Sequence, residues 1–346
     1  MIKIKNLVIG GAGFIGSNLV DELLKKKEKV YVIDDLSRKG TKELKKRIGL
    51  EKKYKFFKIN IKDFNKIDNF FKKYNFKNIF LLAGQVAVTT SLIDPRLDFN
   101  SNVLGCFNIL ESLRKNKRKS KLIFSSTNKV YGKLENIELK KDQNSIYNFK
   151  KYPKGIKETM PVDFVTPYGC SKGAADFYCQ DYFKTYKIPT VIMRQSCIYG
   201  RMQLGIEDQG WVAWMIIASL LRKKIKIYGD GLQVRDILYA DDLVEAYIKA
   251  SNTKKTDGKV YNIGGGSKNK ISVIGLIKLL EKKLKIKIKY KFLEERKGDQ
   301  KIFISDNRLA FKDFKWKPKT EFNKGLDNTI SWIKQNLDFI KSVSNI

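Results

Sequence analysis

Residues 4–10 read as a short buried strand that runs into a glycine-rich turn, and residues 17–26 follow with apolar side chains at helical spacing. Val30–Asp34 is a second apolar run of strand length, so the chain opens on a β-α-β unit. Further strands are predicted at Phe56–Ile61, Ile79–Ala83, Leu122–Ser126 and Thr190–Arg194. Helical patterns stand between most of them, including Asn102–Leu113 and Ser171–Tyr186. Strands alternating with helices bury both faces of a parallel sheet, which predicts an α/β, doubly wound fold. After Gly200 the rhythm changes. Asp208–Leu221 is largely apolar and helical, 225–228 and 260–263 are short strands, and 272–284 is an amphipathic helix. The segment 133–166 holds few regular patterns and two prolines, Pro153 and Pro161; loops of that length tend to carry function.

Composition narrows the chemistry. The 346 residues include no histidine, which excludes Ser-His-Asp and Cys-His nucleophile systems and any His-ligated metal centre. An acid or base near neutral pH must then be Asp, Glu, Cys, Tyr or Lys. No metal site is expected. The net charge is +34, yet of the 70 basic residues only 11 are Arg, the residue that does most bidentate reading of bases and phosphates. The lysines are scattered along the chain, so the charge reads as a solvated surface, and no nucleic-acid partner is expected. Cys106, Cys170, Cys179 and Cys197 form no Cys-x-x-Cys pair and read as reduced structural thiols. The longest mostly apolar run, Trp211–Leu221, is too short to span a bilayer, and no secretion signal is evident at the N-terminus. No membrane partner and a cytoplasmic location are therefore expected.

Gly10, Gly13 and Gly16 lie in G-G-A-G-F-I-G between the first strand and its helix. The first allows a tight turn, the second lets backbone approach a pyrophosphate at the helix N-terminus, and the third lets helix and strand pack closely. Asp34 ends the second strand, where an acid accepts from the adenosine ribose hydroxyls and disfavours a 2′-phosphate. NAD is thus favoured over NADP, although Arg38 and Lys39 nearby could hold a phosphate. Tyr168 and Lys172 are spaced to share a helical face, and a lysine beside a phenol lowers the phenol's pKa. Thr127 follows the Leu122–Ser126 strand, at the end where open α/β sheets bind ligands, and its hydroxyl could hold a substrate alcohol.

These motifs, with Leu82-Ala-Gly-Gln85, Asn102-Val-x-Gly105, Ser125-Ser-Thr-Asn-Lys-Val-Tyr-Gly132, Arg194–Gly200 and Gly229–Asp242, resemble the extended short-chain dehydrogenase/reductases over nearly the whole chain. Within them the sequence resembles the nucleotide-sugar epimerases. Gly84–Ser91, Ser126–Gly132, Pro167–Asp176 and Asp208–Val212 are similar to the branch that inverts C2 of CDP-linked 3,6-dideoxyhexoses. The resemblance implies a Rossmann domain for tightly held NAD over 1–194 and 229–264, and a smaller mixed α/β substrate domain over 195–228 and 265–346. It implies that Tyr168 is the base, that Lys172 tunes it and binds the nicotinamide ribose, and that Thr127 holds the reacting hydroxyl. Gly10, Gly13, Phe14, Ile15, Gly16, Asp34, Asn60, Ile61, Leu82, Ala83, Gln85 and Asn102 would line the cofactor. Arg235 and Arg296 would hold the diphosphate of a CDP-linked sugar, with Gln85, Thr89, Thr90 and Gln209 near the sugar. The helices around 98–115 and 170–186 would pair into a homodimer or homotetramer. Asn128-Lys129 stands where related 4,6-dehydratases have Asp-Glu, which disfavours elimination of water. Two alternatives stay open: another nucleotide-sugar epimerase, such as one acting at C4 of a UDP-hexose, and a non-catalytic NAD- or RNA-binding protein on the same fold.

Overall fold

A computed structural model describes residues 4–47, 53–142 and 146–344. Seven strands make the central sheet: β1 (Ile4–Ile9), β2 (Val30–Asp34), β3 (Lys55–Lys58), β4 (Phe76–Leu81), β5 (Lys121–Thr127), β6 (Thr190–Gln195) and β7 (Lys259–Ile263). Their order is β7-β6-β5-β4-β1-β2-β3, and every neighbouring pair is parallel. The doubly wound Rossmann fold expected from the strand-helix rhythm is present.

The period of two along each strand explains the two cores. Leu7, Ile9, Tyr31 and Ile33 face one side, where Ile67, Phe70 and Phe71 of helix Phe64–Lys73 and Ile109 and Leu113 of helix Gly105–Lys115 cover them. Val8, Val30 and Val32 face the other, under Leu19 and Leu23 of helix Phe14–Lys25 and Leu243 and Tyr247 of helix Ala240–Ser251. With both faces covered, β2 and β6 are buried at every position, and their apolar runs are Val30–Ile33 and Val191–Met193.

The chain builds β1, β2 and β3 outward in one direction, then returns to place β4 on the far side of β1. That reversal opens a crevice at the C-terminal strand ends, where ligands bind in sheets of this kind. A third core under the crevice joins Val212, Ile216 and Ile217 of helix Trp211–Leu220 to Leu276 and Leu280 of helix Val273–Leu284 and to Leu326 and Ile333 of helix Phe322–Gln335. Beside it, strand Val234–Tyr239 pairs with Cys197–Tyr199, Lys270–Ser272 and Ile302–Phe303. Strand Ile225–Tyr228 pairs with Tyr290–Leu293. Val234–Tyr239 thus sits in a second sheet, although the sequence groups residues 229–264 with the cofactor-binding half. The irregular segment 133–166 contains an antiparallel pair, Leu139–Lys141 with Tyr147–Phe149. Among the described residues, no helix is long and apolar enough to cross a membrane.

Candidate active site

The glycine turn is tightly packed at two of its three glycines. Gly10 has φ +86°, and a Cβ there would stand 2.5 Å from the Ala83 amide nitrogen, so β1 and β4 close together only over glycine. A Cβ on Gly16 would run into the Gly10 carbonyl, which fixes how tightly helix Phe14–Lys25 meets the turn. Gly13 differs: its Cβ would meet only the Gly10 carbonyl, at 3.5 Å. Gly13 is also the N-cap of that helix, and no side chain caps it. The helix N-terminus is therefore bare and open, the arrangement that receives a phosphate.

Asp34 is buried at the end of β2 and accepts from the Ala12 amide at 3.0 Å and the Leu36 amide at 2.9 Å. Burial raises its pKa, and the two amides pull it back. Both oxygens keep lone pairs for a ribose. The bare helix N-terminus, the glycine cradle and this carboxylate together fit a dinucleotide.

Thr127 ends β5, and its Oγ1 accepts from the Lys129 amide at 3.2 Å. Tyr168 lies in the first turn of helix Pro167–Tyr186, which Thr166 caps by accepting from the Gly169 amide at 3.2 Å, with Pro167 at the first helical position. The Tyr168 hydroxyl is hydrogen-bonded to Thr127. Lys172 follows one turn on, its Nζ 4.4 Å from the centre of the Phe124 ring. Asp176, one further turn along, accepts from Ser126 Oγ at 3.0 Å and from Arg194 Nε at 2.9 Å, which ties β5, β6 and the helix together around Thr127.

The protonation balance differs from the expectation of a lowered Tyr168 pKa. Both members of the pair are buried, and burial dominates. Tyr168 is pushed up to about 12 by desolvation, against which the Thr127 hydrogen bond works. Lys172 is pushed down to about 8 by the same cause. The protein alone thus favours a neutral phenol, and phenolate requires further positive charge at the site.

Thr127 and Tyr168 open onto a cavity of about 470 Å³, a size suited to a small-molecule site. Phe14 and Ile15 bound it at the glycine turn, and Ser125–Thr127 and Tyr168 form its floor. Arg235, Arg296, Gln209, Trp211, Trp214 and Tyr228 line the far end. Five cations (Lys129, Lys226, Arg235, Arg296, Lys297) and three carboxylates (Glu207, Asp208, Asp299) reach it, an excess of positive charge that suits a diphosphate. Arg296 donates to Asp208 at 2.9 Å and stacks 3.7 Å over the Tyr228 ring, while its Nε is buried without a partner. Arg235 donates to the Val234 carbonyl at 2.9 Å and lies 3.8 Å from Asp299. Lys129 Nζ donates to the Gly298 carbonyl and to Asp299, each at 3.2 Å. Thr89 Oγ1, Trp214 Nε1 and Gln233 Oε1 are likewise buried without a partner on the cavity wall. Gln209 accepts from Arg38, which itself does not line the cavity.

Not every expected contact comes to the cavity. Gln85 turns away: its Nε2 donates to the Ala87 carbonyl at 2.8 Å and to Asp98 at 2.7 Å, and its Oε1 accepts from the Ala87 amide. Thr90 does not line the cavity, whereas its neighbour Thr89 does. Asn60 donates to Asp35 at 2.8 Å, and the Ile61 side chain packs into the core. Asn102 is buried in a π-helical turn, Asn100–Leu104, and donates to the Gln85 carbonyl at 3.1 Å and to Ser171 Oγ at 3.0 Å. Leu82 and Ala83 do not line the cavity, and each amide donates to the Ile9 carbonyl at 2.9 Å. The wall also contains Lys129, Trp211, Trp214, Tyr228, Gln233 and Asp299, to which the sequence alone assigns no part in the site. They come from widely separated segments, and no local spacing announces them.

The family model of GDP-mannose 4,6-dehydratase matches residues 7–329. The chain is 38% identical over 334 residues to a CDP-paratose 2-epimerase of Salmonella typhi, covering 95% of this chain and 98% of that one. It is similar in structure to the UDP-glucose 4-epimerase of Thermotoga maritima solved with UDP-glucose, with a TM-score of 0.83, 30% identity, and coverage of 96% of this chain and 100% of that one. The UDP-glucuronic acid 4-epimerase of Bacillus cereus, solved with UDP-glucuronic acid and NAD, matches with a TM-score of 0.82 and 28% identity, covering 96% of this chain and 99% of that one.

Proposed function

The chain belongs to the GDP-mannose 4,6-dehydratase family of NAD-dependent nucleotide-sugar epimerases and dehydratases, and we propose that it inverts C2 of a CDP-linked 3,6-dideoxyhexose, taking CDP-paratose to CDP-tyvelose. The observation that carries this reading is the 38% identity to a CDP-paratose 2-epimerase over nearly the full length of both chains. The site supports it. Asn128 and Lys129 follow Thr127, so no acid stands there to expel water from the sugar.

NAD, when bound, would supply the hydride acceptor and donor that inversion at C2 through a transient 2-keto sugar requires. The cradle of Gly10, Gly13 and Gly16 with Asp34 holds the cofactor, and Phe14 and Ile15 face it from the first turn of the helix. Tyr168 takes the proton of the C2 hydroxyl and later returns it, while Thr127 holds that oxygen in reach. Lys172 contributes positive charge that favours the phenolate. Arg235 and Arg296 hold the diphosphate, and the unpartnered Arg296 Nε has a donor to offer it. Exposed Phe99, Phe177 and Tyr178, on the helices around the site, are consistent with a homodimer.

The test is product analysis by NMR after incubation with CDP-paratose and, in parallel, UDP-glucose in deuterated water. Conversion to CDP-tyvelose without deuterium at C2 is expected. Turnover of UDP-glucose alone would replace the reading with a C4 epimerase. Deuterium at C2 would replace hydride return with direct deprotonation.

A further inference from the structure

A buried polar cluster lies between the catalytic helix and the segment before it, and the chemistry above leaves it unused. Asp98, in the short helix Pro95–Phe99, is fully buried. Its carboxylate accepts from Ser171 Oγ, from Gln85 Nε2 at 2.7 Å and from Asn102 Nδ2 at 3.5 Å. Ser171 lies one turn from Tyr168 and directly precedes Lys172, so the carboxylate is moored to the helical turn that carries the catalytic pair. Among the described residues Asp98 makes no ion pair within 4 Å, and a buried carboxylate satisfied by neutral donors alone is costly. Lys172 is a cation within its electrostatic reach.

We propose that Asp98 is a positioning residue for the reaction: moored by Ser171, Gln85 and Asn102, it is the counter-charge that keeps the buried Lys172 ammonium charged beside Tyr168. This rests on Tyr168 and Lys172 being the catalytic pair, and not on which sugar is turned over.

The groups facing the pair leave this role to Asp98. Cys106, Cys179, Asp98 and Asp176 face Lys172. Asp176 is engaged by Arg194 at 2.9 Å. The Cys179 thiol is pushed well above its ordinary value by burial and lies 3.7 Å from the Cys106 sulfur. Thr127, Asp98 and Cys197 face Tyr168, and burial pushes the Cys197 thiol up as well. Asp98 therefore acts on both partners in the same sense. Its negative charge raises the pKa of the ammonium and raises that of the phenol.

The sign of the test follows. Turnover requires Tyr168 ionised and Lys172 protonated, so the kcat profile is a bell whose two limbs belong to the pair. Asp98→Asn lowers both values, so both limbs of the kcat profile move to lower pH, by roughly one pH unit. Asp98→Glu keeps the charge and leaves the limbs near their wild-type positions. The profile is measured with whichever of CDP-paratose and UDP-glucose the wild-type enzyme converts. Independently of activity, thermal unfolding with saturating NAD is compared for wild type, Asp98→Asn, Lys172→Met and the double variant. Asp98→Asn is expected to lower the midpoint more in wild type than in the Lys172→Met background. Limbs that stay in place while kcat falls at every pH, or equal losses of stability in both backgrounds, would overturn the proposal. If Asp98→Asn alone does not fold, the double variant must fold; failure of both would make Asp98 a structural residue only. Absence of turnover on either sugar defeats the functional reading, while the stability cycle still decides this one.

Discussion

The two ends of the cavity are built in different ways. At the cofactor end, the demands fall on backbone: a Cβ at Gly10 would meet the Ala83 amide nitrogen, and one at Gly16 the Gly10 carbonyl. These atoms belong to the sheet and its first helix, and they have nowhere to move. At the substrate end, side chains from distant segments meet, and several keep unused hydrogen-bonding capacity: Arg296 Nε, Trp214 Nε1, Gln233 Oε1 and Thr89 Oγ1. The first end is complete before any ligand arrives. The second end holds buried polar atoms that a ligand can satisfy, and an unpaired buried polar group discriminates strongly between ligands. Cofactor use is thus set by the scaffold and substrate choice by the wall, which is where relatives acting on different sugars can diverge on one fold.

The largest effect is expected where the two ends meet. Tyr168→Phe removes one hydroxyl from the floor and leaves both ends intact, so turnover should fall about 10³-fold while NAD content stays at the wild-type level. Turnover close to wild type would remove Tyr168 as the base. Loss of NAD instead would mean that the tyrosine belongs to the cofactor end.

A paired substitution separates the ends. Gly16→Ala forces a methyl group into the turn, at a cost of about 1–3 kcal/mol from overpacking, and should appear as a lower unfolding midpoint and weaker NAD retention. Arg296→Ala should leave both unchanged and raise KM for the nucleotide sugar roughly 10- to 100-fold, the worth of one charge-assisted hydrogen bond. NAD content, melting curves and steady-state kinetics check the pair. If Arg296→Ala also sheds NAD, the division between the ends is wrong.

The same contrast explains what can be read from the sequence. The glycine turn, Asp34, and the Tyr168–Lys172 pair are local patterns, because a turn or a helical face spans only a few residues. The inner strands of the central sheet are legible because burial on both faces gives them short apolar runs, although β4 begins at Phe76, ahead of the expected Ile79. The short pair Leu139–Lys141 and Tyr147–Phe149 is too brief to show a period. Asp98 gives no signal either: an aspartate in a polar stretch reads as surface until the fold brings Ser171 and Lys172 against it. Gln85 is misplaced by its motif for a related reason, since its amide is consumed by Asp98 and by the Ala87 backbone, partners that only the folded chain supplies.

The smallest expected effect concerns a link between the two ends. Arg38 follows β2 at the cofactor end, and Gln209 precedes helix Trp211–Leu220 at the substrate end; the Arg38 guanidinium donates to the Gln209 side-chain oxygen. On the proposed function, a free ketone intermediate favours a cofactor that stays bound between turnovers, and a clasp between the two ends would slow its escape. A single hydrogen bond to a charged donor at a partly wet site contributes about 1 kcal/mol, so Arg38→Ala or Gln209→Ala should speed NAD release roughly fivefold. The two changes remove the same bond, so the double variant should release NAD hardly faster than either single one. Stopped-flow displacement of NAD by a fluorescent analogue measures wild type, both single variants and the double variant. Additive effects would mean that each residue touches the cofactor separately, and no effect in either would mean that the ends are joined only through the floor that carries Thr127 and Tyr168.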